Sequence, residues 1–202
     1  MNKDNVMYGV VGLLVGVIIG IFIAPSVTPQ SGYTGMMRGG NSQMLSGIVD
    51  EHFIEQMIPH HEGAIAMAEL ALERSARPEI RSLAEDIVDA QAREITQMKS
   101  WYKEWFGSDV PEYSGSGMGM MMGGGHMMAF EGDLDELAEA ENFDLEFIRQ
   151  MIPHHEMAVM MASMLAASSE RKEMQELADQ IITSQSREIE MMRGWYTTWS
   201  SR

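Results

Sequence analysis

The stretch FIEQMIPHHEGAIAMA, Phe53–Ala68, returns later in the chain as FIRQMIPHHEMAVMMA, Phe147–Ala162. A shift of 94 residues lays Asp50–Trp105 on Asp144–Trp199 without a gap, and about half of the paired positions are identical. Gln91, Arg93, Glu94 and Ile95 fall on Gln185, Arg187, Glu188 and Ile189, and Met98, Trp101, Tyr102 and Trp105 fall on Met192, Trp195, Tyr196 and Trp199. The chain therefore carries one unit twice.

Each unit reads as two helices. Phe53, Ile54, Met57, Ile58, His61, Ile65, Ala68 and Leu72 recur every three or four residues, the spacing of an amphipathic helix. A turn is expected at Arg74–Arg77. Pro78 suits the first position of the next helix, where no N–H is needed. Ile80, Leu83, Ile87, Gln91, Ile95, Met98 and Tyr102 then carry the pattern to Trp105, and Gly107 and Pro111 stop it. The second unit repeats this from Asp144, expected as an N-cap. Short connections make each pair an antiparallel hairpin, and two such hairpins predict an all-α four-helix bundle. Pro59 and Pro153 lie inside these helices, so a kink is expected just before each His-His pair. The paired tryptophans are expected to plug the ends of the bundle.

The rest of the chain frames these hairpins. Met7–Ala24 is an unbroken run of 18 residues of low polarity. As a helix it would span about 27 Å, close to a hydrocarbon core of about 30 Å. It predicts an uncleaved N-terminal transmembrane helix. Lys3 precedes it and the next basic residue is Arg38, which points the remainder out of the cytoplasm. The expected organisation is a membrane anchor at residues 1–25, a flexible linker at 26–49, a hairpin at 50–106, a Met/Gly-rich linker at 107–143 and a second hairpin at 144–202. Within the second linker, Asp133–Ala140 suits a short helix.

Charge and composition narrow the chemistry. The 202 residues hold 14 Lys+Arg against 30 Asp+Glu, for a net charge of −16. Such a chain is a poor ligand for nucleic acid, whose phosphates demand clustered Lys and Arg. Its natural partners are cations. There is no cysteine, which excludes disulfides, thiol catalysis and cysteine-held iron–sulfur clusters. Methionine, by contrast, occurs 22 times.

The repeated MIPHHE sets histidine among methionines. On a helical wheel His60 lies near Met57 and Met67, and His154 lies near Met151, Met157 and Met161. Adjacent residues point about 100° apart, so one histidine of each pair can face the core and the other a groove. Thioether and imidazole together suit a soft or borderline cation, and thioethers alone favour Cu(I). Methionine has no proton to lose, so it serves in acid where histidine is lost. Single methionines at these positions could equally fill a core. The spacing Met157, Met160, Met161, Met164 is itself an ordinary core pattern. Met118, Met120, Met121, Met122, His126, Met127 and Met128 stand instead in a glycine-rich loop that cannot bury them, so metal capture explains them better. Hairpin geometry brings Gln91 and Glu94, and likewise Gln185 and Glu188, opposite the histidines. There they would hydrogen-bond the rings and orient them.

These motifs resemble the ferritin-like domain-of-unknown-function family three hundred and five, which includes CopM-like copper-binding proteins. The pattern F-x-x-x-M-I-P-H-H-x-x-A-x-x-M-A carries the resemblance at Phe53–Ala68 and Phe147–Ala162. It implies a ferritin-like four-helix bundle, exported or membrane-anchored, that binds Cu(I), Cu(II) or silver. Matched by position, it points to Met57, His60, His61 and Met67, and to Met151, His154, His155 and Met161.

Three functions are open at this level. One is an extracytoplasmic copper and silver binder for buffering, resistance or transfer to a metal exporter or metallochaperone. The second is a copper-dependent redox enzyme. The third is a metal-independent helical scaffold. A di-iron oxidase is excluded, because no histidine has a glutamate three residues before it.

Overall fold

In the computed structural model the described residues are 39–111 and 133–201, all within one compact unit, residues 37–202. They form five helices and, among the described residues, no strand: α1 (Gly39–Arg74), α2 (Pro78–Phe106), α3 (Leu134–Glu139), α4 (Phe143–Ser168) and α5 (Lys172–Trp199). Helix α1 packs along α2, α4 packs along α5, and α1 packs on α4 to join the two hairpins in a bundle-like arrangement.

Local chemistry sets the boundaries. Pro78 opens α2, and Gly107 closes it in the left-handed conformation at φ 76°, its N–H reaching the Lys103 carbonyl. Asp133 caps α3 by accepting from the Glu136 N–H at 2.8 Å. Helices α1 and α4 run unbroken through Pro59 and Pro153. Two boundaries differ from the sequence reading. Helix α1 starts at Gly39, ahead of the repeat. Asn142, not Asp144, caps α4, accepting from the Leu145 N–H at 3.3 Å.

Asp144 lies in the first turn of α4 and is drawn to the other hairpin. It accepts from Ser75 Oγ at 2.6 Å and from Arg77 Nε at 2.9 Å, both in the α1–α2 turn. The duplicate position does the same in reverse. Asp50 of α1 lies 3.0 Å from Arg171 Nε in the α4–α5 turn. Each arginine also covers a tryptophan. Arg77 stands over Trp199 at 4.1 Å and Arg171 over Trp105 at 4.3 Å. Those tryptophans stack on Trp195 and Trp101, one helical turn back. The aromatic ends of α2 and α5 are thus clasped by the turn of the opposite hairpin.

The apolar core is in two parts. Phe53, Ile54, Met57, Ile58, Ile95, Met98, Ala158, Ala162, Leu165, Leu177 and Ile181 belong to one. Ala64, Met67, Ala71, Ile80, Leu83, Ile87, Phe147, Ile148, Met151 and Met192 belong to the other. On all four long helices the gap between the two holds buried polar residues: His60 and His61, Gln91, His154 and His155, and Gln185 and Glu188. A polar belt crosses the middle of the bundle.

No described helix is long and apolar enough to cross a membrane. The expected span Met7–Ala24 lies outside the described residues, as does the loop Gly115–Met128.

The two clasps differ in burial, and that makes them separable. The Asp50 side chain is fully buried, and burial pushes its carboxyl above the usual range while Ser169 and Arg171 pull it back. Asp144 is partly open to water. Replacing Arg171 by Met should therefore cost about 1–3 kcal/mol in urea unfolding, because it strands a buried carboxylate. Arg77→Met should cost less. Equal losses would refute this account of the clasps.

Candidate metal centre

The belt is built from the two MIPHH repeats. His60 is 9% exposed, His154 is 2% exposed, and His61 and His155 are sealed completely. Both members of each pair lie inside the bundle, so neither faces a groove as the helical wheel allowed. The reason is the junction of α1 and α4. His60 and His154 meet there across the pseudo-two-fold, with ring centres 3.8 Å apart at 43°. That contact covers the side of each ring that would otherwise face outward.

His61 and His155 are held from the partner helix of their own hairpin. His61 Nε2 lies 2.6 Å from Glu94 Oε2, and His155 Nε2 lies 2.7 Å from Glu188 Oε2. A carboxylate can only accept, so each Nε2 carries the proton and donates it. Each Nδ1 is then left with a free lone pair. It is buried and has no hydrogen-bond partner. Both nitrogens of His60 and of His154 are likewise buried and unpartnered. Gln91 and Gln185 sit at the same level, yet their side-chain oxygens also lack a partner. Glutamate thus orients the rings as expected, and glutamine does not.

Buried imidazole nitrogens without partners are costly unless something else binds them. A metal ion is the ligand that suits lone pairs on neutral rings. The spacing of the rings tests this. Ring centres are 6.4 Å apart in His60–His61 and 6.3 Å in His154–His155, tilted 59° and 56°. Two metal–imidazole bonds of about 2 Å each, plus the two half-rings, need about 6 Å. The ring-centre separation of each consecutive pair is close to that length. The rings of His60 and His154 lie closer, with centres 3.8 Å apart.

Methionine stands beside both. Met57 and Met151 lie one turn before each pair, and both are fully buried, as is Met67. Met157 and Met161 are half-buried on α4. Met118, Met120, Met121, Met122, His126, Met127 and Met128 lie outside the described residues. Among the described residues no three or more His, Asp and Glu side chains gather as a group that could hold a metal ion. The geometry offers few, soft or borderline donors.

Burial keeps His60 and His154 neutral. It lowers the His60 pKa from 6.5 to about 3, with the imidazoles of His61 and His155 adding to the effect. It lowers His154 well below its usual value, helped by His60 and the neighbouring rings. Neutral imidazole is the metal-binding form, so both rings stay competent in mild acid.

A family model described as Domain of unknown function (DUF305) matches residues 50–200. CopM solved with Cu(II) is 53% identical, covers 74% of this chain and 97% of its own, and superposes with a TM-score of 0.68. Its Cu(I)-bound form is 53% identical over 74% and 96%, with a TM-score of 0.65, and an Ag-bound form has also been solved. A DUF305 fragment from Deinococcus radiodurans is 30% identical over 74% and 96%, with a TM-score of 0.59. A curated protein of Acanthamoeba polyphaga mimivirus is 42% identical over 53 residues; the match spans 26% of this chain and 35% of that protein.

A pH dependence follows from the lowered pKa values. The folded state keeps His60 and His154 neutral, while the unfolded chain takes up their protons near 6.5. The metal-free chain should be most stable above that pH and lose stability progressively as pH falls toward 3. Thermal melts at stepped pH should show a shallower decline for His60→Gln/His154→Gln. An identical slope would remove these rings from the account.

Proposed function

The chain belongs to the DUF305 family, and from the geometry of its polar belt we propose that it binds monovalent copper and silver ions. Each consecutive pair, His60/His61 and His154/His155, holds one ion between its rings. The observation that carries this reading is the pair of ring spacings, 6.4 and 6.3 Å, lined by buried nitrogens that nothing else in the fold satisfies. Binding of Cu(II) and Cu(I) by CopM at 53% identity, and of Ag at 50%, supports it.

The protein's part is to prepare the donors. Glu94 and Glu188 hold the proton on Nε2 of His61 and His155, which presents Nδ1 to the ion. The two apolar clusters above and below exclude water. A two-nitrogen site closed to solvent suits a d10 monovalent ion better than Cu(II), which prefers four or more donors. Met57 and Met151, and beyond them Met67, Met157 and Met161, offer thioethers at the margin of each site. The Met-Gly loop, with His126, gathers further soft ions. Tethered by Met7–Ala24 and facing out of the cytoplasm, such a bundle buffers the ion or hands it to an exporter or chaperone.

Titration of the full chain with Ag(I) against a competing chelator tests this. His60→Ala/His61→Ala and His154→Ala/His155→Ala should each remove one tight site, and binding should persist near pH 5. Tight binding of Zn(II) alone, or unchanged Ag(I) binding in both variants, would refute it. Glu94→Ala and Glu188→Ala should each weaken the corresponding site by about 10–100-fold. Unchanged affinity in both would remove the orienting role.

A further inference from the structure

Met160 and Met164 read in the sequence as core residues, yet they are 49% and 64% exposed. Among the described residues they are the two most exposed large apolar side chains. Their position on α4 is ordered. At about 100° per residue, Met161, Met157, Met164 and Met160 lie roughly 20°, 60°, 80° and 120° around the helix from His154, all to the same side. Exposure rises along that arc: His154 is buried, Met161 and Met157 are half-buried, and Met164 and Met160 are open. Met157 is three or four residues from Met160 and Met161, and Met164 is four and three from the same two, so Cβ atoms in those pairs stand about 5–6 Å apart. The long, flexible side chain lets neighbouring sulfurs close on one ion.

The fold does not require this row. The same positions in α1 are Met67, Gly63, Leu70 and Ala66, and they serve an equivalent helix in the same bundle. Only one thioether remains there, and it is fully buried. Packing therefore accounts for neither the exposed methionines nor their restriction to the second hairpin.

We propose that Met160 and Met164 are an outer capture pair for a monovalent soft ion, which passes along Met157 and Met161 to the His154/His155 pair. This rests on the His-pair reading above. Each step replaces one neutral donor by another, so the ion keeps its charge and no proton moves. Loading is thereby one-sided: the second hairpin fills from solvent along this row, and the first has no equivalent entry.

The test uses Ag(I) and the full chain. Alkylation of methionine, read by peptide mass spectrometry, should be suppressed by Ag(I) at Met160 and Met164. Met160→Leu/Met164→Leu keeps similar volume at exposed positions and should fold normally. It should slow transfer of Ag(I) from a chromophoric chelator to His154/His155 by about tenfold, with final occupancy of the histidines unchanged. Silver at the histidines without protection of Met160 and Met164, or loading at the wild-type rate, would overturn the row and leave the His-pair reading intact. Protection of the methionines with no silver at the histidines would instead overturn delivery together with the His-pair reading.

Discussion

Six imidazole nitrogens are buried at the middle of this bundle without a hydrogen-bond partner. A helical bundle gains its stability from continuous apolar packing, and here that packing is cut in two on all four long helices. Leaving a buried polar group unpaired costs about 1–3 kcal/mol. Here that cost falls several times, at one level and in duplicate, and the proposed ion binding would offset it. The carboxylates of Glu94 and Glu188 sharpen the point. They satisfy one nitrogen of His61 and His155 and leave the other buried without a partner.

The duplication supplies the symmetry, and the clasps hold it. Asp50 and Asp144 each reach into the turn of the opposite hairpin, where an arginine lies over the tryptophan that ends a helix. These contacts fix how the hairpins meet. That meeting brings His60 against His154, and the contact seals both rings from water. Sealing keeps both rings neutral, and neutral imidazole is the form a metal can bind. Stability at the ends of the bundle and chemistry at its middle are therefore connected through one interface.

Much of this was legible in the residues. The three-and-four spacing gave the helices, and Pro78 and Gly107 marked boundaries of α2. Reflection about the turn put Gln91 and Glu94, and likewise Gln185 and Glu188, opposite the histidine pairs; that only the glutamates reach a ring, at His61 and His155, comes from the structure. Other features depend on tertiary contacts that periodicity does not contain. Burial of both histidines in a pair comes from the α1–α4 contact. Asp144 looked like a cap because it precedes an apolar run, but a serine and an arginine from the other hairpin compete for its carboxylate. Met160 and Met164 share the spacing of core residues, and only the orientation of α4 in the bundle turns them outward.

Nitrogen NMR of ring-labelled histidine in the full chain, titrated with Ag(I), tests the central claim most directly. Silver should shift His60, His61, His154 and His155 together, with Nδ1 of His61 and His155 showing silver–nitrogen coupling while Nε2 stays protonated. Rings that keep their metal-free shifts while silver binds elsewhere would contradict it.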